Sequence, residues 1–79
     1  DRFSSQSNHS FVLGETLFRL GRHAEALAAF QQSVSREYGL GHAYGRMAQC
    51  CLALGRKSEA QAHAKTCARL TGRDPLRAN

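Results

Sequence analysis

The sequence has few of the features that mark membrane, secreted or disulfide-stapled proteins. Its apolar runs do not exceed five residues, as at residues 50–54, whereas a membrane-spanning helix needs about 20. No stretch has the charge and hydropathy pattern of a signal peptide. The three cysteines are an odd number without framework spacing, which is typical of a reducing compartment. We therefore expect no membrane span and a location in the cytoplasm or nucleus.

Patterns for metal binding and catalysis are also missing. The histidines and cysteines form no C-x2-C or H-x3-H pair, and the adjacent Cys50 and Cys51 would point about 100° apart on a helix. The glutamates occur singly, and no Cys–His or Ser–His pair suggests a nucleophile with its base. We expect no enzyme activity, no metal and no cofactor. Cys51 and Cys67 are predicted to be buried, whereas Cys50 is predicted to be less buried and is the candidate reactive thiol.

Acidic residues are scarce in the second half of the chain. Residues 41–79 carry seven Lys and Arg against two acids, whereas residues 1–40 are balanced. Tyr44 is the only aromatic residue in this half, and proteins that bind RNA or another polyanion usually combine cations with stacking aromatics. We therefore interpret the cations as a solvated basic face rather than as a nucleic acid site. The alternative is that they bind an acidic protein partner. The candidate basic patch consists of Arg56, Lys57, Lys65, Arg69 and Arg73.

A 34-residue repeat is the strongest pattern in the sequence. The motif L-G-R-x-x-E-A at residues 20–26 returns at residues 54–60. Size and polarity are kept elsewhere at the same offset, so that Leu13 corresponds to Met47. A unit of this length cannot close a core of its own and must stack on a neighbour. The sequence therefore predicts a repeat protein.

Apolar residues at helical spacing predict four helices and no strands. The first three are expected at residues 8–20, 24–37 and 42–54. Ser58 followed by Gln61 matches a capping box and predicts the start of the fourth. The positions predicted to be buried are Leu13, Leu17 and Leu20, then Ala26, Leu27, Phe30 and Val34, then Tyr44, Met47, Cys51 and Leu54, and finally Ala60, Ala64, Cys67, Ala68 and Thr71.

Glycine and proline mark the boundaries between these helices. Gly21 and Gly55 follow the first and third helices, where glycine can take the left-handed conformation that closes a helix. Pro75 cannot continue the fourth helix but suits the first turn of another, so we expect the chain to be a piece of a longer array. The predicted division is a disordered polar leader at 1–7, a first unit at 8–40, a second unit at 41–74, and at 75–79 a tail or the start of a truncated third unit.

The repeat resembles the tetratricopeptide repeat, a 34-residue helix–turn–helix unit with the signature W-x2-L-G-x2-Y, A-x3-F and P. The first unit reads S-x2-L-G-x2-L from Ser10 and A-x3-F from Ala26. The second reads Y-x2-M-A-x2-C from Tyr44 and A-x3-A from Ala60. The resemblance covers about residues 8–71. It implies an all-α fold of two stacked antiparallel helix–turn–helix hairpins, an α-solenoid.

The resemblance extends to positions where the family needs short side chains so that paired helices can approach closely. These small positions are Gly14, Ala26 and Ser33 in the first unit and Ala48, Ala60 and Cys67 in the second.

The sequence departs from the family signature at three positions. Ser10 stands in the tryptophan position, and Tyr38 and Gly72 stand where the family usually has proline.

The resemblance also implies a concave groove, lined by the first helix of each unit, that holds an extended peptide or a partner's helix. The mixed polar residues at outward positions suit such binding, although they are equally typical of a solvated helix face, and Phe11 is also expected to pack against an upstream helix. The predicted binding residues are Asn8, Phe11, Val12, Glu15 and Arg19 in the first helix and His42, Gly45, Arg46, Gln49 and Ala53 in the third.

His42 and Arg46 are similar to half of the clamp by which some family members hold the C-terminal carboxylate of chaperones. Val12 and Glu15 do not match that clamp, because Glu15 would repel a carboxylate. The leading hypothesis is therefore a protein-interaction module of a larger scaffold or adaptor, which binds a partner's peptide or helix. One alternative is a homodimer formed through the flank of the fourth helix, and another, from a different class, is a basic module that binds RNA. The dimerisation flank consists of Ala64, Ala68 and Leu70.

Overall fold

The structure of this chain, a computed structural model, describes the backbone of residues 2–36 and 40–76 and the side chains of residues 9–36 and 40–76. Within these ranges it contains α-helices and no strand, which confirms the all-α prediction. The helices are α1 (Arg2–Arg19), α2 (His23–Ser35), α3 (Leu40–Ala53) and α4 (Lys57–Thr71).

The four helices form two stacked hairpins, as the repeat predicts. α1 packs on α2 and α3 packs on α4, while α2 and α3 pack against each other between the hairpins. α1 contacts α3 at only a few positions. The apolar core therefore lies along α2 and α3, and the face shared by α1 and α3 stays open. The buried core residues are Ala26, Leu27, Phe30, Ala43, Met47, Cys50, Cys51 and Ala60.

The turns inside the two hairpins have the same construction. Gly21 and Gly55 have φ angles of +80° and +81°, in the left-handed region that glycine enters without a Cβ clash. The N–H of Arg22 donates to the carbonyl of Leu17 at 2.9 Å, and the N–H of Gly21 donates to that of Phe18 at 3.1 Å. These two bonds form a Schellman motif, and the equivalent pair surrounds Gly55. The predicted turn glycines are confirmed.

The start of α4 differs from the predicted capping box. α4 begins at Lys57, and its N-cap residue Arg56 makes no side-chain cap bond. The carbonyl of Arg56 accepts the first helical bond, from the N–H of Ala60 at 2.9 Å. Ser58 therefore already lies inside the first turn, so the capping box of Ser58 and Gln61 was wrong. The glycine turn leads directly into the helix, so the N-cap position falls on Arg56, two residues before Ser58.

Three leucines that were predicted to be buried are exposed. The exposed fractions of Leu13, Leu20 and Leu54 are 41%, 66% and 36%. Of the predicted stripe on α1, only Leu17 packs against the core. The described residues place no helix against the outer side of α1, whereas Met47, which corresponds to Leu13, lies between the hairpins and is only 3% exposed. Burial at equivalent positions therefore differs because the neighbouring helices differ.

The ends of the helices also differ from the sequence-based bounds. α1 begins at Arg2, so residues 2–7, which were expected to form a disordered leader, are helical. These residues lack an apolar stripe. Extending an existing helix, however, orders the backbone of only one residue for each new hydrogen bond, which costs less than starting a helix. The predicted helical end at residue 37 and the departure at Tyr38 lie outside the described residues, as do the first residue and the tail beyond residue 76. The division into two units remains a prediction.

A close contact explains the small residue in α1. A Cβ atom added to Gly14 would lie 2.9 Å from Cε1 of Phe30, which is closer than real Cβ atoms approach a neighbouring atom. Phe30 is fully buried in the centre of the core. Glycine therefore lets the backbone of α1 lie directly on the aromatic ring of α2.

Candidate functional site

One carboxylate joins the first helices of the two hairpins. Glu15 on α1 lies 2.6 Å from Nε2 of His42 and accepts a hydrogen bond from Nε of Arg46 at 3.0 Å, both on α3. Burial raises the pKa of Glu15, but its hydrogen bond to His42 and the charge and hydrogen bond of Arg46 outweigh burial, so the pKa is held below its ordinary value. The carboxylate is therefore ionised at neutral pH and holds the two side chains in place.

Arg46 is fixed on several sides. Its Nη1 donates to Oε1 of Gln49 at 3.0 Å, one turn further along α3. Its guanidinium carbon lies 4.7 Å from the centre of the Phe18 ring, a cation–π geometry. The side chain is 31% exposed. Arg46 thus presents a pre-oriented cation on the open face, and its support by Phe18 was not predicted from the sequence.

Phe11 belongs to the same face but is partly used within the fold. Its ring lies 5.8 Å from the Phe30 ring, edge to face, and 5.2 Å from the His42 ring. Val12 and Arg19 lie beside Glu15 on α1 and are exposed, but they do not share its hydrogen bonds. The side chain of Asn8 lies outside the described side chains. The structure therefore brings together Phe11, Glu15, His42, Arg46 and Gln49, which we call the open-face cluster.

A pocket of about 300 Å³ adjoins this cluster, between α3 and the end of α4. Its walls approach each other closely at Gly45, where an added Cβ atom would lie 3.3 Å from Sγ of Cys67 and 3.6 Å from Cβ of Pro75. Thr71, which was predicted to be buried, is exposed at its rim. The sequence did not predict this pocket, because its walls come from separate segments. It is lined by Gly41, His42, Gly45, Arg46, Gln49, Cys67, Thr71, Arg73 and Pro75.

Local hydrogen bonds position the wall that follows α4. Gly72 has a φ angle of +81° and turns the chain after the helix. Oγ1 of Thr71 donates to the carbonyl of Cys67 at 2.9 Å and accepts from the N–H of Arg73 at 3.1 Å. Oδ1 of Asp74 accepts from the N–H two residues further on at 2.9 Å. This segment therefore has a defined path that carries Arg73 to the pocket.

The geometry of two equivalent hairpins agrees with the family comparison. The sequence model of the tetratricopeptide repeat matches residues 5–71. The chain belongs to the tetratricopeptide repeat family. No curated protein and no solved structure matched the chain significantly. Tetratricopeptide repeats are non-catalytic modules of protein–protein interaction. The general function of this chain is therefore to bind a protein partner.

The basic patch on the second repeat is not a single surface. All five residues are exposed, but they extend from the start of α4 to beyond its end, and a helix of 15 residues is about 22 Å long. Arg56 already pairs with Glu59 at 3.8 Å. Of the five, Arg73 alone lines the pocket. Binding by Arg56, Lys57, Lys65 and Arg69 remains a prediction.

The cysteines of this tetratricopeptide repeat chain are all buried. Cys50 is fully inaccessible, and burial, followed by the charge of Cys51, raises its pKa to about 11. The prediction of Cys50 as the reactive thiol was therefore wrong. α3 packs between α2 and α4, so both stripes that carry Cys50 and Cys51 are covered. Within the part of the chain that the structure describes, no three metal-ligating side chains lie together, and no helix is long and apolar enough to cross a bilayer.

Proposed function

We propose that this tetratricopeptide repeat pair is a protein-interaction module of a larger scaffold or adaptor, and that it binds a partner's extended segment or helix across α1 and α3. The observation that carries the proposal is the bond of Glu15 to both His42 and Arg46. It fixes polar side chains from both hairpins on one open face. A partner that crosses this face contacts both repeats at once.

Pre-orientation of the open-face cluster favours binding. Ordering a long side chain at an interface costs about 0.5–1.5 kcal/mol, and Arg46 is already held by Glu15, Gln49 and Phe18. His42 is 52% exposed and remains accessible to a partner. Donors and acceptors fixed in this way suit the backbone and polar side chains of a peptide. The half-exposed Val12 adds an apolar contact next to them.

A second candidate, self-association, is supported by a different surface from the one predicted. Ala64 in the predicted flank of α4 is 4% exposed, so that flank offers mainly Leu70. The larger exposed apolar row runs along α1 into the turn that follows it, where Leu13 and Leu20, seven residues apart, are 41% and 66% exposed. Exposed apolar rows of this kind often become interfaces.

Sedimentation equilibrium at rising concentration tests this candidate. Under self-association through α1, Leu13→Glu reduces a dimer to a monomer, whereas Leu52→Glu, on a leucine that is 47% exposed on α3, leaves it intact. A wild-type chain that stays monomeric throughout excludes the candidate.

The RNA alternative is disfavoured by the position of Tyr44. Its ring is half-buried and lies 5.8 Å from the ring of His63, in a tilted stack between α3 and α4. Tyr44 is the only aromatic residue in the basic half of the chain. It is therefore engaged within the fold rather than presented as a platform on which bases stack.

The proposed peptide-binding function is tested with peptides selected by the wild-type chain from a random library. Gln49→Ala removes an amide from the open face, and we expect it to weaken binding about tenfold, which corresponds to about 1.4 kcal/mol. Gln61→Ala removes the same amide from an exposed position on α4 and is the matched control. Equal affinity of both variants and the wild type would show that the selected peptides bind elsewhere.

A further inference from the structure

The pocket beside the open-face cluster has an unbalanced charge. Its lining includes His42, Arg46 and Arg73 and contains no acidic side chain. Arg46 is neutralised in part by Glu15, which lies outside the pocket. Arg73 differs from it, because among the described residues no carboxylate pairs with its guanidinium. The pocket thus combines an unpaired cation with a second cation that is fixed in place.

Two further features make the interior of the pocket favourable to an anion. The first turn of α3, which contributes Gly41 and His42, contains no acidic residue, and the positive end of a helix dipole lies there. Oε1 of Gln49 is occupied by Arg46, so the amide nitrogen of Gln49 is the group that remains to donate to a ligand. Charge and hydrogen-bond donors therefore point to the same class of ligand.

The size and position of the pocket suit a side chain of a bound peptide. A volume of about 300 Å³ is at the small end of ligand pockets and exceeds the size of one glutamate side chain. Gly45 contributes no side chain to the lining, so the volume beside α3 is not reduced by one. The pocket opens next to the cluster that a bound peptide would cross. A side chain can enter it while the main chain of the peptide stays on α1 and α3.

We propose that this pocket binds the carboxylate of an internal Asp or Glu side chain of the partner, with Arg73 as the ion-pair partner and Gln49 as a hydrogen-bond donor. The proposal rests on the peptide-binding function proposed above and adds the chemistry of one subsite. Electrostatic complementarity of this kind determines which partners are selected.

The experiment uses three pools of octapeptides that are random except at one central position. Two pools are acetylated and amidated and carry either Glu or Gln at that position, and the third carries Gln with a free C-terminal carboxylate. Binding of each pool is measured by titration against the wild type and three variants. Arg73→Gln removes the proposed cation, and Arg69→Gln removes one charge from the same end of α4 outside the pocket. Gly45→Ala places a methyl group in the pocket lining.

The proposal predicts that the wild type binds the Glu pool about tenfold more tightly than the Gln pool. This preference is expected to disappear in Arg73→Gln and Gly45→Ala and to persist in Arg69→Gln. The new methyl group would lie 3.3 Å from Sγ of Cys67, so urea unfolding of Gly45→Ala is measured beside its binding to show that α3 and α4 still pack together. The amide signal of Gly45 is expected to shift on binding, whereas that of Gly55, in the far turn, stays in place.

Each other result overturns the inference in a recognisable way. Equal affinity of the wild type for the Glu pool and the Gln pool overturns the acidic subsite and leaves the peptide-binding function standing. Equal losses in Arg73→Gln and Arg69→Gln show that general charge, not the pocket, attracts the Glu pool. A free-terminus pool that binds as tightly as the Glu pool assigns the pocket to a C-terminal carboxylate instead. Absence of binding by all pools overturns both proposals.

Discussion

The carboxylate of Glu15 lies 2.6 Å from Nε2 of His42, although the two residues are 27 positions apart in the chain. The contact crosses from the first hairpin to the second, between two helices that contact each other at only a few positions. Arg46 reinforces it from the next turn of α3. The same carboxylate therefore links the two repeats across the open face and orients the polar side chains there.

Glu15→Gln is expected to lower the free energy of unfolding at pH 7 by about 1 kcal/mol, because it removes a charged hydrogen bond to Arg46 in a partly buried site. The pKa of Glu15 in the folded chain lies below its ordinary value, so its stabilising effect is complete above that ordinary value. The effect is lost as the pH falls through the lowered pKa of the folded state. Urea titrations of both chains at several pH values measure the difference.

The matched control for this prediction is Glu25→Gln. Glu25 pairs with Arg22 at 3.8 Å, and both side chains are more than 60% exposed. An exposed pair of this kind contributes little, so the change is expected to stay within about 0.5 kcal/mol. A difference between Glu15→Gln and the wild type that persists unchanged at acidic pH would contradict the assigned role of the carboxylate.

Gly55→Ala is expected to destabilise the chain by about 1–2 kcal/mol. A Cβ atom at this position meets nothing within 4 Å, so the cost comes entirely from the positive φ angle. Asparagine tolerates this backbone region better than alanine does, so Gly55→Asn should cost less. Thermal or urea unfolding of the wild type, Gly55→Asn and Gly55→Ala measures their order of stability. Equal stability of all three chains would mean that the turn does not need a left-handed residue.

Gly14→Ala is expected to cost about 1–3 kcal/mol by forcing α1 away from the ring of Phe30. Phe30→Leu alone also destabilises, because it removes part of a fully buried ring. The double variant should be more stable than the sum of the two losses predicts, by about 0.5 kcal/mol or more, since the smaller side chain makes room for the new methyl group. Strict additivity would argue against this contact as the reason for Gly14.

Native alkylation is expected to distinguish the three thiols. The pKa of Cys50 is raised from 9.0 to about 11, which lowers its thiolate fraction about 100-fold at pH 8, and the side chain is inaccessible. Cys67, which lines the pocket and is 6% exposed, should react before Cys50 and Cys51. All three should react in denaturant. Mass spectrometry of digested samples follows each site, and early modification of Cys50 would contradict the observed burial.

Several features of this fold could be predicted from short-range pattern. The 34-residue repeat predicted both hairpins, because the same local sequence forms the same helices and turn each time it occurs. The turns at Gly21 and Gly55 could be predicted since a positive φ angle is a property of one residue and its immediate neighbours. The capping box at Ser58 was wrong for a related reason, because the preceding glycine turn already determined where α4 begins.

The candidate site was predicted only in part. Glu15, His42 and Arg46 were each expected on the open face from helical spacing, but their mutual bonds join residues 27 and 31 positions apart. Cys50 shows the reverse error, because a residue off the main apolar stripe becomes buried when a helix has neighbours on two sides. Spacing along one helix carries no information about what lies opposite it.

The sequence by itself determined the helical repeat, its length, its glycine turns and its family, because these depend on the order of residues within a few turns of chain. The tertiary structure decided which equivalent positions are buried, how Glu15 is shared between two side chains, and that Gly45, Cys67 and Arg73 border one pocket. Those properties depend on distances between helices. Such distances are set by the packing of whole elements against each other.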